Sequence, residues 1–213
     1  MNRLTLSALV AVSLLAGCSR SGSADADTFA TAVRSYLDKR GDLCLAKNTW
    51  PIDVTQHEID VGARNALQMP VLERLGLVSS SVAEIDVDDE GTPHHMKVRR
   101  YALTESGRKY YIVRTQVGAQ AGTQAAQGDF CAAKLSLDKV VSWDLQRGGD
   151  KEAHHAVVTY TYKVDAAPWT RDAELQKVFP MVAGVVRGAG TAKLQEGFTL
   201  TDAGWVAVDL LGS

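Results

Sequence analysis

An apolar run from Leu4 to Ala16 follows a basic start at Arg3 and stops at Gly17-Cys18. It is well short of the roughly 20 residues that a helix needs to cross a bilayer, so it has the form of a signal-peptide core. No other stretch constrains the fold more. Removing 17 of the 213 residues on export leaves 196 to fold in an oxidising compartment, and the apolar run adds nothing to their core.

The four residues Leu15-Ala16-Gly17-Cys18 resemble the lipobox of bacterial lipoproteins, a branched apolar residue and two small ones before a cysteine. The resemblance implies that Cys18 becomes the first mature residue and carries acyl chains, palmitate among them, which tie the chain to a membrane. Ser19, where that family uses aspartate for inner-membrane retention, implies the periplasmic face of the outer membrane in a Gram-negative source. A soluble secreted chain cut elsewhere is the other reading of the same residues.

Apolar residues make up 46% and charged residues 23%, which suits a globular chain of one sizeable domain or two small ones. The formal net charge is −2, and loss of Arg3 makes it about −3, so no electrostatic excess favours nucleic acid. Of three cysteines, Cys44 and Cys131 remain once Cys18 is assigned to lipid. In an oxidising compartment such a pair is expected to form a disulfide, the alternative being two buried free thiols. Their contexts are alike, Gly41-Asp42-Leu43-Cys44-Leu45-Ala46-Lys47 and Gly128-Asp129-Phe130-Cys131-Ala132-Ala133-Lys134. That likeness reads either as an internal duplication or as chance.

Composition divides the chain into a signal peptide (1–17), a small polar tether (18–26), a first half (27–116), a linker (117–128) and a second half (129–213). The first half opens with a helix that Asp27 can cap, its apolar stripe formed by Phe29, Val33, Tyr36 and Leu37. A second helical region covers about Val61 to Leu75, where Pro70 is expected to force a break or a new first turn. Val82 to Val87 and Met96 to Leu103 then alternate as a hairpin. The stretch 117–128 has no charge or aromatic residue and reads as a linker. In the second half the pattern turns to strands, Leu135 to Leu145 and His155 to Val164, with a helix from Pro168 that Pro180 interrupts.

Leu72-Glu73-Arg74-Leu75-Gly76-Leu77-Val78, the hairpin, and Arg100-Tyr101-Ala102-Leu103-Thr104-Glu105-Ser106-Gly107-Arg108 resemble the helix and wing of winged-helix domains over residues 62–111. The resemblance implies a local shape. DNA binding does not follow, because the supposed recognition helix carries only Arg64 and Arg74 as cations and an exported chain does not meet the chromosome. The expected fold class is α+β, a helical, winged-helix-like first half packed with an antiparallel β-rich second half.

Chemistry-bearing motifs are missing: there is no GxSxG, SxxK or HExxH. Asp86 to Gly91 begins like a calcium loop but has Lys97 where a glutamate is required, so it reads as an acidic turn. His94-His95 and His154-His155 give at most one well-placed ligand per pair, since neighbours on a strand face opposite sides, and no metal or other cofactor is expected. The expected function is that of a non-catalytic envelope lipoprotein that binds a protein partner or has a structural role, an immunity or inhibitor protein being one form of this. An envelope hydrolase whose site does not show in sequence is the alternative. The partner contact is expected on the β-rich half near the Pro168 to Pro180 segment, with Trp169, beside Pro168, as its exposed anchor.

Overall fold

The computed structural model describes residues 23–89, 92–117, 124–147 and 153–211. The signal peptide, Cys18, nearly all of the tether and residues 118–123 of the expected linker lie outside them. Helix α1 (Ala26–Arg40) is capped by Asp25, whose side chain accepts from the Thr28 N–H; Asp27, the expected cap, sits in the first turn instead. Lys39 and Arg40 occupy the last turn, where cations suit the helix dipole. Phe29, Ala32, Val33 and Leu37 form the buried face.

Strand β1 (Asp42–Cys44) follows directly, then β2 (Ile52–Thr55), helices α2 (Gln56–Asp60) and α3 (Arg64–Arg74), and the hairpin β3 (Val78–Asp89) with β4 (Thr92–Leu103). β2, β4 and β3 form a small antiparallel sheet in that order. A short helix α4 (Glu105–Arg108), begun by the Thr104 side chain, leads into β5 (Tyr111–Val117). Gly107 passes so close to the Leu77 carbonyl that a Cβ there would lie 1.9 Å from its oxygen, which fixes this turn as glycine.

The larger sheet is built on β6 (Gln124–Arg147), followed by β7 (Ala153–Ala166), a 3-10 turn (Pro168–Arg171), helices α5 (Ala173–Val178) and α6 (Pro180–Arg187), and strands β8 (Lys193–Thr201) and β9 (Gly204–Ala207). Its order is β1-β6-β7-β8-β9, all antiparallel, with β5 pairing to the start of β6. Bulges along the β6–β7 ladder, at Leu137/Lys139 and Val140/Ser142 among others, curl the sheet.

The expected helical first half does not form. Among the described residues, strands β1 to β5 all precede residue 118, and the chain is mostly β, with a curled antiparallel sheet and a smaller one in place of a helical, winged-helix-like half against a β-rich half. Residues 124–128 of the expected linker are strand, paired with Val113 to Val117. Gly128 lies against the Tyr111 ring, where a Cβ would approach to 2.2 Å, so the small residues that looked like linker permit close strand packing.

Two apolar cores result, and neither follows the boundary between the two halves. One joins Val54, Met69 and Leu72 to Phe130, Trp169 and Leu175. The other places α1 on the sheet, with Phe29 against Trp205 (ring centroids 5.0 Å) and Trp143 (5.5 Å). The two similar heptapeptides face each other across β1 and β6: Asp42 pairs with Lys134, and Cys44 with Cys131, to which it is disulfide-bonded. Lys134 Nζ reaches Asp42 at 3.4 Å, and Asp129 Oδ1 accepts from the Lys47 backbone N–H at 2.7 Å. The acidic residue of each motif thus meets the lysine of the other.

Candidate functional site

A cleft of about 590 Å³ opens between α3, the corner of α5 and α6, and the chain leaving β1. Beyond Cys44 the backbone turns away from β6: Leu45 donates to the Phe130 carbonyl, and Ala46 takes a left-handed φ of 55°. Lys47 is thereby turned inward and buried. Its Nζ donates to Asn65 Oδ1 at 2.8 Å, and burial, then the Arg64 charge, pushes its pKa below that of an ordinary lysine.

α3 supplies one wall. Its N-cap, Ala63, offers no side-chain acceptor, and its first turn has no acidic residue. The helix runs through Pro70 instead of breaking there, with Met69 and Leu72 fully buried on either side. Their burial, worth roughly 1.5–3 kcal/mol each, offsets the roughly 3 kcal/mol cost of an internal proline. Leu67 points out at 55% exposure.

The opposite wall is the corner where α5 ends and Pro180 starts α6. Phe179 and Val182 are buried, while Met181 is 77% exposed. Gln68 joins the walls: its Nε2 donates at 2.9 Å to the Val178 carbonyl, one of the α5 C-terminal carbonyls that lack an intrahelical donor. Because a carbonyl can face only the NH₂ end of the amide, the other end is the oxygen. That Oε1 is buried and has no donor among the described residues. At the mouth, Lys177 is paired with Glu174 at 2.7 Å, whereas Arg64 is exposed and has no ion pair among the described residues.

A second tie holds the walls together farther along. Arg74 donates to Asp172 at 2.6 Å, and Asp172 also caps α5 by accepting from Glu174 and Leu175. The Arg74 hydrogen bond, then that of the Leu175 N–H, holds the Asp172 carboxyl below its ordinary value of 3.8. A depressed folded pKa gives stability that is complete above the unfolded value and lost as pH falls through the folded one. Melting temperature followed from pH 5 downward should therefore fall in a limb that Asp172→Asn flattens; an identical limb in the variant would remove Asp172 as its source.

The residues singled out from sequence fall in several places. Cys18 lies outside the described residues. Cys44 and Cys131 are joined, and Cys44 lines the cleft. Trp169 is not an exposed anchor: it is 8% exposed and packs edge-on to Tyr110 (5.5 Å) and against Phe130 (5.8 Å). The histidine pairs sit in different sheets, His95 with Asp86 (2.6 Å) on the small one and His155 with Thr199 (3.1 Å) on the large one. Gln68, Leu67 and Met181 were not singled out, and Arg64 was weighed only as a cation for DNA. The signal available for them was modest: Leu67 lies outside the buried stripe of α3, and Met181 follows the proline that opens α6. No known family model, characterised protein or solved structure matches the chain.

Proposed function

We propose that the chain is an envelope lipoprotein, anchored through Cys18 at the periplasmic face of the outer membrane, that binds a protein partner without catalysis. The cleft carries this reading. Buried Leu45, Phe179 and Val182 with exposed Leu67 and Met181 make an apolar concave surface, the form that recognition sites take. The contact expected near Trp169 and the Pro168 to Pro180 segment is thereby taken off buried Trp169 and set at the α5–α6 corner.

Photo-crosslinking in cells tests it, with a photoreactive residue at Met181 or, as a control on the small sheet, at Val82, which is 78% exposed. One discrete protein adduct is expected from position 181 and none from position 82. Equal labelling at both, or none at 181, would remove the cleft as the contact, and mature protein without lipid mass on Cys18 would remove the anchor.

A further inference from the structure

We infer that the cleft takes a peptide segment of the partner, which seats an apolar side chain against Leu45, Phe179 and Val182, donates a backbone N–H to Gln68 Oε1, and sets a carboxylate beside Arg64. This rests on the binding reading above and specifies its chemistry.

Gln68 decides the class of occupant. It lines the cleft at 8% exposure, its Nε2 is committed to Val178, and its Oε1 has no donor among the described residues and is closed to solvent, so an occupant reaches it by a small shift of the amide toward the cleft. A buried acceptor left without a donor is costly, so an occupant that supplies one is favoured over one that does not. An acyl chain ending in an ionised carboxylate has no hydrogen to donate. A peptide has one at nearly every residue.

Charge decides the flank. Lys177 is neutralised by Glu174, but Arg64 opens α3 beside an N-terminus with no side-chain cap. Two positive features at one end of the cleft, the Arg64 guanidinium and the uncapped N-terminus, favour an acidic residue there. The volume of about 590 Å³ suits a few side chains, not a folded domain.

The chain from Ser19 onward serves for the test, because among the described residues every buried apolar one lies between Phe29 and Ala207. It is panned against displayed random short peptides, with Leu67→Asp panned in parallel. Peptides that carry an apolar residue flanked by Asp or Glu, and that fail on Leu67→Asp, are expected. In synthetic form they should lose about tenfold in affinity to Arg64→Glu and recover when their acidic residue is changed to lysine. Methylating one backbone nitrogen should cost about tenfold with the parent chain and nothing with Gln68→Leu, whose melting is measured alongside. Peptides that fail on Leu67→Asp yet ignore both the charge reversal and N-methylation would overturn the inference and leave the cleft standing as a binding surface. Peptides that bind Leu67→Asp equally well would overturn the cleft with it. Selection of no peptide, or tight binding of dodecanoate instead, would overturn the peptide assignment alone.

Discussion

Trp169→Ala is expected to lower unfolding free energy by about 3–5 kcal/mol, the range for removing a large buried aromatic side chain. The ring sits in one core with Leu175, Phe179 and Val182, and its contacts to Tyr110 and Phe130 draw together residues remote in the sequence. Its Nε1 is buried without an acceptor among the described residues, so the indole contributes through its ring and not through its N–H. Trp169→Phe keeps a ring and deletes that donor, and should cost far less than the alanine change. Urea denaturation of the two variants measures the difference. Parity between them, or a melting temperature that Trp169→Ala leaves unmoved, would show that the ring is not a core residue.

Loss of the Cys44–Cys131 bridge is the other large effect. The bond closes a separation of 87 residues, worth on the order of 4 kcal/mol in the chain-entropy picture. The paired substitution Cys44→Ala with Cys131→Ala should move the denaturation midpoint down accordingly. Adding reductant should lower that of the parent chain and leave the variant unmoved. A reductant effect of equal size on both would assign the loss to something other than this bond.

Local signals in the sequence led to local structure. The stripe on α1 was legible from Phe29, Val33 and Leu37, although the cap is Asp25, two residues before the one expected, because either aspartate satisfies the same preference. The β3–β4 hairpin was legible from its alternation. Gln124 to Gly128 was not, since alanine, glutamine and glycine carry little strand preference and pair here because Tyr111 to Val117 lies alongside. Pro70 misled for a related reason: its penalty is local, and the burial of Met69 and Leu72 that offsets it is not. The cleft was the least legible part, because its walls come from residues about 110 apart, as the Gln68 contact to Val178 shows. Trp169 shows the same limit, for exposure is a property of neighbours that an isolated Pro-Trp pair does not reveal.

β6 exchanges one partner for another partway along, β5 up to Phe130 and β7 from Ala133, and the disulfide to β1 sits at that exchange. Tension applied between the two ends of the chain would therefore pass from α1 through Cys44 straight into Cys131. The 87 residues of separation stay out of the path of the force, a hidden length of roughly 300 Å at about 3.5 Å per extended residue. Arg64, Leu67 and Gln68 lie inside that sheltered loop and Met181 outside it. A chain held at one end and pulled at the other would yield first in the segment that carries α5 and α6 or in α1, while the α3 wall is stretched by neither end.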